Sequence, residues 1–515
     1  MRVPARSPHA LAAAAALLAT GAIALAVVPT PGGQVSPKSR ILPSGRHLLP
    51  AGKLVRLGNF PTGGAVTANG RFYWTVSAGD ALNDVRIVSL RSGRVIQAIK
   101  LPGASGGVAL DSARRLAYVS GLPDTDVTEV KTPAGTPGKD GDVIHVFSWS
   151  KRTGKAVARG VIAVPPPSDA PTPQSFPPDP TAKKRSWPER LAVSADGGTL
   201  LVPLGLADAA AIVDTRTKAV RYVNTGSHPY GAAILPGGKT GLVSNRGPGT
   251  VSVIDLKAGT KVKDIQVGAH LSHPESIALD SRRGLAYVPL ANADSVAVVD
   301  TRKLALARTL TVARAQGAGT APVDTAVSRD GRYLLVAESA ADEIAVFALP
   351  RAPAAHARAA RAKRASGKPF ALIGRVPTAQ YPADVDTIGR GARSPCGLGS
   401  RAKPAKGKRR RRPACTKLVW TAARGFGLGP NLGTPPASQY FDIPHFLTTK
   451  GKVTGYAGIL DFPGKRQLRK LTATATAQLT PVNHEAPPPG TPLRPGGPIK
   501  HVFYIVRENR TYDQV

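Results

Sequence analysis

The stretch PERLAVSADGGTLLV, residues 188–202, decides the fold, because its pattern recurs along the chain. PESIALDSRRGLAYV follows at residues 274–288, and PVDTAVSRDGRYLLV at residues 322–336. Each copy has a proline, a short apolar strand, a turn in which Asp stands beside Gly or Ser, and a second apolar strand. Asp and Gly tolerate the positive φ angles that tight hairpins require. The repeat therefore predicts a series of antiparallel hairpins.

Each hairpin continues into two further strands. Third strands that end in an acid are predicted at Ala209–Asp214, Val251–Asp255 and Ser295–Asp300. A fourth strand is predicted at Lys261–Gly268 and at Leu306–Val312. The prolines that open the units follow one another at intervals of 41, 45 and 48 residues, at Pro188, Pro229, Pro274 and Pro322. Four strands in this length is the size of one β-propeller blade.

Degenerate copies extend the series at both ends. Two lie at residues 64–103 and 106–165, and a split last copy comprises Pro382–Ile388, Lys417–Thr421 and Tyr456–Asp461. The last copy lacks a fourth strand, whereas an orphan fourth strand, KLVRLGN, stands at Lys53–Asn59. Because ring closure removes exposed sheet edges, we expect this N-terminal strand to complete the last blade. The prediction is an all-β, seven-bladed propeller over residues 50–462; the irregular second and last copies leave six or eight blades open.

These repeats resemble the YVTN family of surface-layer propellers. The proline start, the VSxDGxxLLVA-like hairpin and the third strand VSVID at residues 251–255 carry the resemblance. It covers about residues 50–462 and implies the propeller fold. It implies little about activity, because propellers are scaffolds for many unrelated functions.

The N-terminal residues 1–28 resemble an export signal. Arg2 and Arg6 precede an apolar run from Ala10 to Val28, which prolines and glycines then end. This pattern is typical of a signal peptide, although the run is nearly long enough for an uncleaved membrane anchor. Both interpretations place the rest of the chain at the cell surface or outside the cell, after a linker at residues 29–49.

The two cysteines, Cys396 and Cys415, are predicted to form a disulfide. An exported protein meets an oxidising environment, and a zinc site would need further Cys or His ligands nearby. The bond would close a basic loop, Arg401 to Pro413, and stabilise the fold by roughly 3 kcal/mol in the chain-entropy model.

The formal charge of +37 suggests an anionic partner. Two low-complexity runs, Arg351–Lys368 and Arg409–Arg412, could bind anionic cell-wall polymers or phospholipid headgroups, or could simply be solvated loops. Nucleic acid is not favoured, because no basic groove rich in aromatic residues is visible. The protein is expected to be a monomer.

The C-terminal residues carry the only chemical motif. Residues 463–498 are rich in Pro and Gly and are expected to form an extended linker. IKHVFYIVRENRTYDQV follows at residues 499–515, with a compact apolar strand at His501–Val506. Polar residues from Arg507 to Asp513 stand at its C-terminal end, where ligand groups collect in open α/β sheets.

This motif resembles the opening of the phosphoesterase family, which includes bacterial phospholipases C and acid phosphatases. The resemblance implies that Glu508 and Asn509 ligate a divalent metal ion, and both side chains offer suitable hard oxygen donors. It also implies a nucleophilic Ser or Thr farther along the chain, and no catalytic residue can be assigned within these 515 residues. The chain is therefore expected to carry a truncated α/β domain and to be inactive as it stands.

Three functions follow from these observations. The first is the N-terminal part of an exported propeller–phosphoesterase that hydrolyses phosphate esters when complete. The second is a stand-alone binding or scaffold propeller at the cell surface, without catalysis. A propeller enzyme with a site in its central channel is the third, and the sequence shows no cluster of Asp, Glu, Asn or His to favour it.

Overall fold

The computed structural model describes residues 38–42, 44–79, 82–101, 103–121, 142–172, 184–315, 319–350, 369–388, 417–427 and 454–482, with 492, 497–499 and 501. Within these ranges 28 strands form seven four-stranded antiparallel sheets. Each sheet is one blade, and its strands are named first to fourth from the propeller axis outward. The predicted all-β, seven-bladed propeller is confirmed.

Blades 1 to 3 follow one another along the chain. Blade 1 contains β2 (Pro61–Val66), β3 (Phe72–Gly79), β4 (Leu82–Ser89) and β5 (Arg94–Lys100). Blade 2 contains β6 (Ala104–Asp111), β7 (Leu116–Gly121), β8 (Val143–Trp149) and β9 (Ala156–Ala163). Blade 3 contains β10 (Ala192–Val193), β11 (Thr199–Leu204), β12 (Ala209–Asp214) and β13 (Val220–Asn224).

Blades 4 to 7 complete the ring. Blade 4 contains β14 (Pro229–Ile234), β15 (Thr240–Asn245), β16 (Thr250–Asp255) and β17 (Thr260–Gln266). Blade 5 contains β18 (Ala278–Asp280), β19 (Leu285–Leu290), β20 (Ser295–Asp300) and β21 (Ala305–Thr311), with a 3-10 helix at Ala291–Ala293. Blade 6 contains β22 (Pro322–Val327), β23 (Tyr333–Glu338), β24 (Glu343–Ala348) and β25 (Leu372–Pro377). Blade 7 contains β26 (Gln380–Ile388), β27 (Lys417–Gly425), β28 (Tyr456–Asp461) and, from the N-terminus, β1 (Lys53–Arg56).

The N-terminal strand completes the last blade, as predicted. β1 pairs antiparallel with β28, from Lys53 opposite Ile459 to Arg56 opposite Tyr456. The predicted strand was longer, reaching Asn59, because the sequence beyond Arg56 continues the apolar pattern into the connection to blade 1. The pairing supplies hydrogen-bond partners for the edge that β28 would otherwise expose.

The prolines of the repeat stand where the inner strands begin. Pro229 and Pro322 are the first residues of β14 and β22, and Pro188 and Pro274 make isolated bridges just before β10 and β18. A proline fits this position because the start of a strand needs no ladder bond from its nitrogen.

Neighbouring blades pack face to face and bury the middle strands on both sides. Every residue of β12 and β16 is buried except the terminal acid. The outer strand β21, in contrast, buries only Leu310. Between blades 1 and 2 the rings of Trp74 and Phe147 lie 6.3 Å apart. The core therefore consists of apolar layers between blades.

The acid at the end of the third strand in blades 3, 4 and 5 fixes the following turn. Asp214 Oδ1 accepts hydrogen bonds from the backbone N–H groups of Arg216 and Thr217, both at 2.8 Å. Asp255 and Asp300 accept equivalent pairs of bonds from their own turns. These hydrogen bonds from the turn hold the pKa of all three carboxyls below the usual range. The acid that marks the repeat is thus a turn-forming residue.

An α-helix lies within the segment that was expected to be an extended linker. α1 (Lys465–Ala477) covers β25 and buries Leu468 and Ala475. Gly374 permits the close approach, because a Cβ at this position would come within 2.6 Å of the Leu468 side chain. The packed body therefore continues beyond residue 462.

Several predicted segments lie outside the described residues. They are the export segment at residues 1–28, the basic run at 351–368 and the basic loop at 401–413. Within the described ranges, no helix has the length and apolar character needed to cross a bilayer.

Val55 anchors β1 in blade 7, where it is buried in the same cluster as Val419 and Ile459. The substitution Val55→Ala should lower the free energy of unfolding by about 2 kcal/mol, because it removes buried methyl groups and leaves a cavity. Arg56→Ala, at an exposed site on the same strand, is the control and should change it by less than about 0.5 kcal/mol. Urea unfolding followed by tryptophan fluorescence measures both; equal stabilities would contradict the role of β1.

Candidate functional site

A cavity of about 300 Å³ lies where the first strands of the seven blades converge. Every blade contributes to its wall, in order through Gly64, Gly106, Arg190, Gly231, Ser276, Asp324 and Asp384. Concave sites lined by a few convergent polar groups are the usual location of small-ligand sites. The central cavity is therefore the candidate functional site of the described propeller.

Glycines form one side of the cavity wall. A Cβ on Gly63 would come within 2.0 Å of the carbonyl oxygen of Gly106, so blades 1 and 2 meet at a distance that only glycine allows. A Cβ on Gly231 would likewise approach the carbonyl oxygen of Glu275 to 2.5 Å. Charged side chains consequently reach the cavity from blades 3, 6 and 7.

Arg190 crosses the cavity from blade 3 to the opposite side of the ring. Its Nη1 donates to Asp324 Oδ1 of blade 6 at 2.9 Å. Its Nη2 donates to two backbone carbonyl oxygens, of Thr62 in blade 1 at 2.8 Å and of Ala383 in blade 7 at 2.6 Å. One guanidinium thus connects four blades, and its last two bonds reach blade 1, which follows β1 in the chain, and blade 7, which β1 completes.

Asp384 faces Arg190 from blade 7 and is almost fully buried. Its carboxylate accepts hydrogen bonds from the backbone N–H of Gly64, at 3.0 Å, and from the Tyr73 hydroxyl. Burial, reinforced by the nearby charge of Asp324, raises the pKa of Asp384 to about 7. Burial and the same carboxylate also raise the pKa of Tyr73 well above its usual value. Asp384 therefore exchanges its proton near neutral pH.

Two further carboxylates reach the cavity. Asp324 uses its second oxygen to accept a hydrogen bond from the backbone N–H of Val385 at 2.8 Å. Asp386 accepts one from the backbone N–H of Val66 at 3.0 Å and remains partly exposed to the cavity. Burial raises the pKa of Asp386 to about 6, although the nearby charge of Arg329 opposes the shift. The cavity is consequently rich in hydrogen-bond acceptors.

A second polar layer supports Arg190 from blades 4 and 5. The Arg246 guanidinium lies over the Tyr230 ring, 3.5 Å from its centroid, and Arg190 lies 5.8 Å from the same centroid. Glu275 binds Arg246 through both carboxylate oxygens, at 2.7 and 3.1 Å. Burial opposes ionisation of Glu275, yet Arg246 and His273 hold its pKa below the usual range. Burial raises the pKa of neighbouring Glu189 to about 8, which favours its protonated form.

The three carboxylates were not recognisable as a cluster in the sequence. Asp324 and Asp384 each stand two residues after a proline in the first strand of the blade, Pro322 and Pro382 respectively. That shared register was the available signal, because equivalent positions of different blades meet at the axis. The sequence shows no cluster of Asp, Glu, Asn or His, whereas the structure brings three Asp side chains together in the channel. The cluster does not form a metal site: the described ranges contain no group of three His, Cys, Asp or Glu arranged to hold an ion.

The site residues predicted from the C-terminal motif and the basic loop lie outside the described residues. They are Glu508 and Asn509, proposed as metal ligands, and Cys396 and Cys415, proposed as a disulfide. The metal site and the disulfide therefore stay predictions.

Comparison with known proteins does not assign the chain to a family. No protein-family model matches the chain, and no curated protein matches it. Among solved structures, the hydrazine synthase of Kuenenia stuttgartiensis matches with a TM-score of 0.45 and 16% identity, over 64% of this chain and 89% of that chain. A similarity at this level carries no argument about function.

The bond between Arg190 and Asp324 is predicted to hold blades 3 and 6 together. Arg190→Met should lower the free energy of unfolding by about 3–5 kcal/mol, because it leaves buried carboxylates without their cation. Asp324→Asn in the same chain should recover part of this loss, so that the double variant costs less than the sum of the single ones. Urea unfolding of the four proteins measures the coupling; additive effects would contradict a direct interaction.

Proposed function

We propose that the described propeller is a binding module of an exported or cell-surface protein, and that it takes a small organic ammonium compound in its central cavity. The observation that carries this proposal is the convergence of Asp324, Asp384 and Asp386 on one cavity. The volume of about 300 Å³ stands at the lower end of the range for small-molecule sites, which favours a compact ligand.

The hydrogen bonds in the central cavity favour a ligand that donates hydrogen bonds to the protein. The Nη1 and Nη2 donors of Arg190 already serve Asp324 and two carbonyl oxygens. Asp386 is the carboxylate most accessible to the cavity, since it is only half-buried. An ammonium group there would satisfy an acceptor and would favour the ionised form of the carboxylates beside it.

Binding of an ammonium compound should strengthen as the pH rises. The pKa values of Asp386 and Asp384 are raised to about 6 and about 7, so both carboxyls lose their protons over that range. The cation prefers the ionised carboxylates, and its affinity should therefore be higher at about pH 7, where the amines still carry their proton, than at about pH 5. Calorimetric titration with ethanolamine and glucosamine measures this, with ethylene glycol and glucose as neutral counterparts.

The variant for this test is Asp386→Asn, which should weaken ammonium binding by about tenfold or more because a charged hydrogen bond is lost. Asp264→Asn, on the outer strand β17, removes the same charge far from the cavity and should leave binding unchanged. Equal binding of glucosamine and glucose, or an unchanged affinity in Asp386→Asn, would contradict the proposal.

A second function, hydrolysis of phosphate esters by the complete protein, is supported by the sequence IKHVFYIVRENRTYDQV at residues 499–515. A divalent metal held by Glu508 and Asn509 would polarise a phosphoryl oxygen and stabilise the charge that develops on it. The propeller would then act as the binding part of a propeller–phosphoesterase. The alternative is a stand-alone binding or scaffold propeller without catalysis.

The reading frame beyond Val515 separates these two possibilities. A chain extended in frame should hydrolyse p-nitrophenyl phosphate in the presence of a divalent metal, and Glu508→Gln should reduce its rate by about 100-fold, as expected for loss of a ligand. The 515-residue chain, in which no nucleophile has been assigned, is the control and should show no turnover. Turnover by that control, or full activity of the extended Glu508→Gln variant, would refute the assignment; a stop codon after Val515 would favour the stand-alone module.

A further inference from the structure

The connections of the blades are sorted between the two ends of the propeller. In a four-stranded antiparallel sheet, the turns after the first and the third strand lie at the same end. We name this end the turn face; it comprises the described turns 67–71, 90–93, 112–115, 150–155, 194–198, 215–219, 235–239, 256–259, 281–284, 301–304 and 328–332. Connections after the second and fourth strands lie at the opposite end.

Hydrogen bonds between blades show that these turns form one continuous surface. Arg71 of blade 1 donates to the carbonyl oxygens of Lys151 and Arg152 in blade 2. Arg114 of blade 2 donates to the carbonyl oxygen of Asp196 in blade 3 at 2.9 Å. Turns that are distant in the sequence are therefore neighbours at this end of the ring.

The turn face is strongly basic. The 17 Arg and Lys residues of its described turns outnumber the seven acids of these turns and of the strand ends before them. Five of the acids end strands, Asp111, Asp214, Asp255, Asp280 and Asp300, and two, Asp196 and Asp330, lie in the turns themselves. Both acids in the turns are engaged locally: Asp330 pairs with Arg332, and Asp196 accepts hydrogen bonds from the Ser194 hydroxyl and the turn backbone. Most of the basic side chains are exposed. Part of the positive charge that is scattered along the sequence, 17 of 69 Lys and Arg residues, thus lies on one surface.

At the opposite end of the propeller, Asp side chains accept hydrogen bonds from the backbone of the connections between blades. Asp208, Asp294 and Asp342, each next to the third strand of its blade, accept backbone N–H bonds from the loop that begins the next blade. Asp142 accepts two such bonds in blade 2. The acids at this end hold the loops in place through hydrogen bonds, whereas most basic side chains of the turn face are exposed to solvent. The molecule is therefore polarised along its axis.

We propose that the turn face docks on the anionic headgroups of a phospholipid bilayer. Six blades contribute basic turns around the axis, an arrangement that matches a planar partner, whereas a linear polymer would contact only one row of them. The described turns contain no aromatic residue on which a nucleic-acid base could stack. None of the large exposed hydrophobic side chains lies in these turns, so contact stays at the level of the headgroups. This inference deepens the expected anionic partner and does not depend on the ammonium site or on the C-terminal motif.

The test uses the full chain and sedimentation with lipid vesicles. Vesicles of phosphatidylcholine with about one-third phosphatidylglycerol should bind the protein, pure phosphatidylcholine vesicles should not, and high salt should release it because surface charges are screened. Each basic residue near the surface contributes about fivefold to the affinity, so the triple variant Arg216→Ala, Lys257→Ala, Lys303→Ala should lose about 100-fold.

A matched variant controls for net charge. Lys100→Ala, Lys184→Ala, Lys263→Ala also removes three positive charges away from the turn face, two at exposed sites and one at the half-buried Lys184, and should retain nearly full vesicle binding. Arg216, Lys257 and Lys303 lie in turns that the structure describes. A difference in vesicle binding between the two triple variants is therefore due to these turns, and not to the basic runs at 351–368 and 409–412. Circular dichroism confirms that both triple variants are folded.

Three outcomes would overturn the proposal. Equal loss in the two triple variants would show that only net charge matters. Retention of binding by the turn-face variant would remove the turns from the contact. Binding to polyphosphate or DNA that depends on the turn face, without binding to anionic vesicles, would assign the surface to a polymer.

Discussion

The antiparallel pairing of β1 with β28 joins the two ends of the chain's blade array, and the central cavity depends on it. The junction completes blade 7, and blade 1 follows β1 directly in the chain. Arg190 donates to Thr62 in blade 1 and to Ala383 in blade 7, so its position in the cavity requires that both blades stay in place. The N-terminal segment strengthens the junction through Arg46, which pairs with Asp342 of blade 6 at 2.8 Å and donates to the carbonyl oxygen of Gln478 beyond α1 at 2.9 Å. Closure thus controls stability and site geometry together.

The same repeated connectivity gives the two ends of the propeller different chemistry. The third strands of blades 3, 4 and 5 end in a carboxylate that folds a basic turn, as in Asp214 and Asp300. At the other end, Asp294 and Asp342 fix the loop that leads to the next blade. Because every blade runs in the same direction, a local preference for acids and bases at particular turns becomes an axial separation of charge.

Local pattern predicts most of the architecture. The proline, the apolar alternation and the Asp-containing turns repeat within each blade, and the orphan strand at Lys53 identified the closing partner before any contact was known. α1 was hidden because its thirteen residues, KRQLRKLTATATA, stand beside a Pro- and Gly-rich stretch that dominates the composition of the segment. Its helical state is fixed by burial of Leu468 against β25, a tertiary contact that no local pattern reveals.

The cavity chemistry was hidden for a different reason. Asp324 is a single acid within its strand, Asp384 and Asp386 share another strand, and Arg190 is one of many arginines in a basic chain. They meet only because equivalent positions of separate blades converge on the axis, which is a consequence of ring geometry. The buried carboxylates acquire raised pKa values there through loss of water, and this effect also depends on the assembled ring.

Amide hydrogen exchange of β1 tests ring closure most directly. If β1 is the fourth strand of blade 7, its hydrogen-bonded amides should be protected from exchange, as should the β28 amides bonded to β1, because both become exposed only when β1 leaves the blade. Exchange of the β1 amides at the rate of an unstructured chain, while the β28 amides remain protected, would contradict the closed ring.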